Sequence, residues 1–328
     1  MKQRGDVYLS TDDLRIGYAR KGQTNLLFEK LNLSLRAGEM VCFMGPNGAG
    51  KSSLLRTLAG LQAPLSGKIR LTTPTGREAR AKQIAVVLTD RINTLNLTVE
   101  EIISFGRYPY LGWNIRLTET DKAIIKTAIG QVRLTGILRK KVYELSDGQL
   151  QMVMIARALA QGTSIILLDE PTAHLDLNNR LEIMNLLRDL ARDTQKAILL
   201  ATHELDLALQ TADIVWLTGN NRDILQGLPE DLVLNGAFDD IFQLKGFDLR
   251  TGKIRHQPYR DVNIRLSGEG AGYLWTKNAL ERNGFNVSRD ARDVRITLVE
   301  EGTSLKWITE KNNSVEQVDS LQRLIELL

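Results

Sequence analysis

Cysteine is nearly absent: Cys42 stands alone in 328 residues. That excludes an internal disulfide framework and points to a reducing compartment. Long apolar runs are missing too. The stretches "SIILLDE" and "KAILLATHE" are strand-sized, well short of the roughly 18 residues that a membrane-spanning helix needs. The opening "MKQRGDVYLS" lacks the apolar centre expected of an export signal. Aromatics make up only 5% of the chain, so a local cluster of them is informative. No internal repeat or low-complexity tract interrupts the sequence. Hydrophobic residues at 43% and charged residues at 25% are ordinary globular values. A net charge of +4 suits an anionic ligand or a membrane-proximal partner, but it equally describes a solvated surface.

The first 250 residues or so alternate apolar runs with helical patterns. "GEMVCFMG", "IAVVL", "SIILLDE" and "KAILLATH" are rich in Val, Ile and Leu, as expected of strands buried on both faces of a mostly parallel sheet. "GKSSLLRTLAGL", "SDGQLQMVMIARALAQ" and "NRLEIMNLLRDLARD" read as helices between them. Within "TVEE", Thr98 and Glu101 form a capping box; Thr118 and Asp121 mark another helix start. Residues from about 90 to 160 are therefore a helical insert. The fold class expected is an α/β core with that helical insert over 1–257, followed by a small α+β domain over 258–328. In that second part "DVNIRLSG" reads as a strand, "AGYLWTKNALERNG" as a helix, and "DVRITLVE" with "SLKWITE" as a hairpin. "SVEQVDSLQRLIELL" reads as one closing amphipathic helix, with Val315, Val318, Leu321, Leu324, Ile325 and Leu328 along a stripe. The glycine-rich "LSGEGAGYL" between strand and helix is a weak signal for a phosphate or small-ligand site and fits a packing appendage or a dimer-stabilising domain better.

The chemistry begins at "GPNGAGKSS", residues 45–53, which fits G-x-x-x-x-G-K-[ST] between a strand and a helix. Gly45, Pro46, Asn47, Gly48, Ala49 and Gly50 form a loop whose N–H groups can cradle phosphate. Lys51 reaches the β- and γ-phosphates, the Ser52 hydroxyl faces Mg²⁺, and Ser53 continues the helix start. ATP with Mg²⁺ is the expected cofactor pair. "SIILLDEP" ends in two carboxylates, Asp169 for the metal and Glu170 as general base toward water. "ELSDGQLQ" places a capping box, Ser146 with Gln149, around Gly148. In the first turn of a helix, Gly148 is of use only if something approaches the backbone closely.

Taken together, these motifs resemble the ATP-binding cassette family over roughly residues 5–257, which implies a P-loop nucleoside-triphosphatase (NTPase) core. The resemblance implies that Ser146, Gly148 and Gln149 face the γ-phosphate of ATP held by a second copy, so the working unit is a homodimer. It implies that Tyr18 stacks on adenine, that Asp176 in "AHLD" crosses the dimer interface, and that His203 in "LLATHE" senses the γ-phosphate. Two positions depart from the family pattern. Thr89 stands where a metal-contacting glutamine is usual, with Asp90 beside it as the alternative ligand. Asp147 replaces a glycine; its charge repels phosphate, so it is expected to point away from the nucleotide.

The segment "LTVEEIISFGRYPYLGW", residues 97–113, resembles importer cassettes for iron–siderophore, haem and cobalamin. It implies a permease contact through Phe105, Tyr108, Tyr110 and Trp113, an exported substrate-binding protein in the same system, and a peripheral place on the cytoplasmic face of the cell membrane. The rivals are an exporter cassette and a soluble cassette acting on ribosomes or DNA. Exporters often fuse the transmembrane part, and the soluble class commonly joins two cassettes; neither is seen here. The basic residues are scattered rather than gathered in a stripe, so no nucleic-acid partner is expected.

Overall fold

The computed structural model describes residues 5–20, 23–72, 76–88, 96–113, 115–219, 222–243, 246–249, 252–254, 256–301, 304–311 and 314–328. Thr89 and Asp90 lie outside them. Two compact units result, Met1–Gln243 and Leu244–Leu328.

The first unit is built on a six-stranded sheet. Its order is Ile224–Gly227, Ile214–Thr218, Met40–Met44, Ala197–Ala201, Ile165–Asp169, Ile84–Val87. Adjacent strands are parallel except at the Ile224–Gly227 edge. Every residue of Met40–Met44, Ile165–Asp169 and Ala197–Ala201 is buried, which is why these strands lack polar alternation. A second, antiparallel layer pairs Val7–Arg20 with Gln23–Leu31, Ser34–Arg36 and Ser66–Leu71. Leu14, Ile16, Phe28 and Leu35 from this layer join Phe43, Leu54 and Trp216 in one core. The helical insert comprises Val99–Ser104, Glu119–Gln131 and Asp147–Ala160, with a 3-10 turn at Phe105–Tyr110. All three expected capping boxes form: Thr98 with Glu101, Thr118 with Asp121, Ser146 with Gln149.

In the second unit five strands run in the order Asn286–Val287, Asn263–Ser267, Val294–Glu301, Ser304–Lys311, Ser314–Val318. Its core gathers Ile264, Leu280, Phe285, Ile296 and Leu324. The hairpin expectation holds, since Val294–Glu301 and Ser304–Lys311 pair antiparallel. The long closing helix does not form. Ser314–Val318 is a strand paired to Ser304–Lys311, Val315 is exposed, and only Leu321–Leu327 is helical, capped by Ser320. The β-branched Val315 and Val318 favour the pleated edge, and Ser320 starts a new helix rather than continuing one.

Candidate functional site

The residues with chemistry sit just past the carboxyl ends of the parallel strands, the usual position for a ligand in an open α/β sheet. From Met40–Met44 the chain turns through residues 45–50 into the helix Lys51–Ala59. Gly48 and Gly50 adopt φ of 80° and 93°, left-handed values that a side chain resists. Gly45 is small for another reason: a Cβ there would lie 2.6 Å from the Thr218 methyl group and carbonyl. The Lys51 ammonium donates to the carbonyls of Gly45 at 2.7 Å and Pro46 at 3.2 Å, which holds it against the loop. Burial lowers the Lys51 pKa, and the neighbouring Glu170 and Asp169 oppose that shift.

Asp169 is buried at the end of its strand and Glu170 begins the turn beyond it. Burial raises the Asp169 pKa, Glu170 adds to the rise, and a hydrogen bond from Ser52 works against it. Glu170 is itself in the left-handed region at φ 49°. Such a conformation in a non-glycine residue costs about 1 kcal/mol or more and is characteristic of functional positions. The adjoining strand delivers His203, whose Nδ1 lies 3.4 Å from the Glu170 carboxylate. Tyr18, half-exposed, approaches Ser53 with its hydroxyl 2.5 Å from Oγ. One cleft is lined by Tyr18, Leu27, Asn47, Gly48, Gly50, Lys51, Ser52, Ser53 and Glu170.

Ser146, Gly148 and Gln149 are absent from that lining. Ser146 and Asp147 are exposed at their helix start, whereas Gly148 is buried. The close neighbour of Gly148 within the chain is Asn179: a Cβ on Gly148 would sit 2.9 Å from the Asn179 amide carbon. Asn179 in turn is bound to Asp176 twice, through its backbone N–H at 2.9 Å and its side-chain amide at 2.8 Å. The glycine therefore has a use inside one copy that the motif alone does not reveal. Arg180 completes this corner. It donates to the Leu175 carbonyl at 2.7 Å and pairs with Glu204 at 2.8 Å, and Glu204 stands 3.6 Å from His203. No motif in the sequence marks Asn179, Arg180 or Glu204.

The exposed-aromatic expectation is met. Phe105, Tyr108, Tyr110 and Trp113 all reach solvent, and Trp113 is fully exposed.

The chain is 37% identical over 290 residues to an uncharacterized ABC transporter ATP-binding protein of Methanocaldococcus jannaschii. The alignment covers 85% of this chain and 98% of that one. This chain belongs to the ABC transporter family. The "ABC transporter" family model matches residues 28–173 of this ABC ATPase, and the "Iron ABC transporter C-terminal domain" model matches residues 261–328. The petrobactin import ATP-binding protein FpuD of Bacillus anthracis is 36% identical, covering 72% of this chain and 87% of its own. A bacterial ABC transporter cassette solved as a dimer shares 25% identity at a TM-score of 0.58, over 67% of this chain and 98% of that one. Nucleotide binding and ATP hydrolysis coupled to transport are thus the activity of this ABC ATPase. Among the described residues no helix is long and apolar enough to cross a membrane.

Proposed function

We propose that this chain is the peripheral ATPase of an importer for an iron–siderophore, haem or cobalamin chelate. It acts as a homodimer at the cytoplasmic face of the membrane, with a separate permease above it and an exported binding protein in the same system. The petrobactin-import relative and the iron-transporter match over residues 261–328 support the cargo class. The exposed aromatics at 105–113 support the permease contact, because aromatics concentrate in protein interfaces.

Within the site, the loop amides and Lys51 hold the phosphates. Tyr18 stacks on the adenine. Glu170 takes the proton of the attacking water, and His203 beside it senses the γ-phosphate. Asp176 lies at the interface between copies. Ser52 and Asp169 present oxygen donors side by side, as a hard divalent cation requires. Among the described residues no cluster of three or more His, Cys, Asp or Glu could hold a metal, so a cation at Ser52 and Asp169 would need further oxygen donors from nucleotide or water. Mg²⁺ held by Ser52 and Asp169 would neutralise developing charge on the phosphates.

One observation carries the two-copy reading. The cleft brings the cradle to Glu170 but excludes Ser146 and Gly148, whose helix start stays with its terminal N–H groups suited to an anion. The test is Glu170→Gln. Steady-state hydrolysis should fall by roughly 10²–10⁴-fold, the worth of a general base. Light scattering with ATP should show a species of twice the chain mass. Normal turnover, or a monomer at saturating ATP, would refute the assignment.

A further inference from the structure

The segment "GRYPY" carries a buried cation, which is unexpected in a solvent-facing turn. Arg107 is 6% exposed. Its Nε donates to the Asp121 carboxylate at 2.8 Å, and its Nη1 donates to the carbonyls of Ala160 at 3.1 Å and Gln161 at 3.3 Å. Those carbonyls close the helix Asp147–Ala160, and a guanidinium there complements the negative end of the helix. Asp121 is the N3 residue of the Thr118 capping box, so the same carboxylate also fixes the start of Glu119–Gln131. The Tyr110 ring lies on the Arg107 guanidinium, 3.9 Å from its centroid. Gly106 admits no side chain, because a Cβ would collide with the Arg157 carbonyl. The end of the same helix is moored to the sheet as well: Arg157 reaches the Val86 carbonyl at 3.3 Å and Gln161 the Ile84 carbonyl at 3.1 Å. One planar fork therefore joins the exposed aromatic turn, the start of one helix and the end of another. Lysine, with a single point charge, cannot reproduce that arrangement.

We propose that Arg107 is a positioning residue that ties the aromatic segment 105–113 to the helix Asp147–Ala160, so that events at that helix's Ser146 end are transmitted to the segment. The inference rests on the proposed two-copy site and adds to it a route between that site and the transporter-facing surface. A buried ion pair is not needed for stability at such a turn, since apolar side chains of equal volume often serve as well. Its three-way geometry makes the segment and the helix move as one body.

The test uses the whole chain in a Glu170→Gln background, with amide hydrogen exchange across residues 105–113 measured with and without ATP. Arg107→Lys and the neutral pair Arg107→Met with Asp121→Asn are compared with the parent. Light scattering follows dimer formation and thermal unfolding follows stability. In the parent, ATP should slow exchange in this segment by about fivefold or more, the effect of suppressed local opening. In both variants the slowing should fall below about twofold while ATP still drives dimerisation. Undiminished slowing in the variants overturns the proposal. So does exchange that is fast with and without ATP together with a large loss of thermal stability, which would make Arg107 merely structural. A parent that dimerises without any response at 105–113 also overturns it. A parent that fails to dimerise sinks the two-copy site, and the link with it.

Discussion

Replacing Gly148 with alanine separates two explanations for the glycine in the Ser146 helix start. A Cβ there would meet the Asn179 amide at 2.9–3.1 Å, so Asn179 must give way by roughly half an ångström to reach ordinary carbon contact. Its 2.8 Å bond to Asp176 is the interaction most exposed to that shift. Losing it costs about 0.5–1.5 kcal/mol. Alanine in a helix in place of glycine returns about 0.5–1 kcal/mol. Folding stability should therefore change by less than about 1 kcal/mol, within reach of a urea titration. Activity should respond more strongly, because the displaced residue holds Asp176, which is proposed to act at the interface between copies, and small misplacements at a reacting site can lower rates by up to about 10²-fold. We expect at least a tenfold fall in ATP turnover for Gly148→Ala. Asn179→Ala should show a similar fall, and the double variant should be no worse than either, since both act on one contact. Additive losses in the double variant would refute this reasoning and leave Gly148 acting only on the neighbouring copy's nucleotide. A stability loss above about 3 kcal/mol would refute the stability ledger.

The remaining predictions are simpler. Burial, with Asp213 adding to it, raises the Cys42 pKa far above the usual thiol range. Cys42 should therefore react with a thiol reagent in step with global unfolding and not before; rapid labelling of the folded protein would contradict its burial. The Asp121 pKa is lowered, first by the Thr118 hydroxyl, then by the Thr118 N–H, with Arg107 contributing. A depressed carboxylate stabilises the fold above its ordinary pKa of about 3.9 and loses that contribution as pH falls through the folded value. Asp121→Asn should thus be less stable than the parent at neutral pH, with the gap in denaturation midpoint closing below about pH 4. A gap constant from pH 7 to pH 3 would show that charge plays no part.

Much of the core was legible because its physics is local. Strands such as Ile165–Asp169 are buried on both faces, and their unbroken Ile and Leu content announces it. Ser146, Thr98 and Thr118 declare their helix starts through partners three residues on. The closing segment misled because Val315 and Val318 stand three apart, a spacing that suits a helical stripe until pairing with Ser304–Lys311 decides otherwise. The antiparallel strands Val7–Arg20 and Gln23–Leu31 give no clear signal, since they carry mixed polar and apolar residues and bulged registers. At the site, the glycine-rich loop and the two carboxylates follow from phosphate chemistry. The left-handed backbone of Glu170, the Asn179 contact beneath Gly148 and the Arg180–Glu204 pair arise only once distant segments meet.

The most direct measurement mixes two inactive preparations, one carrying Lys51→Met and the other Ser146→Arg, and assays ATP hydrolysis. If each nucleotide is held by the loop of one copy and the Ser146 helix of the other, a mixed dimer contains one intact site. Equal mixing then restores up to about a quarter of the parent activity, half of the dimers being mixed with half of their sites intact. Mixed dimers that form and stay inactive, or an active Ser146→Arg preparation on its own, would contradict the account.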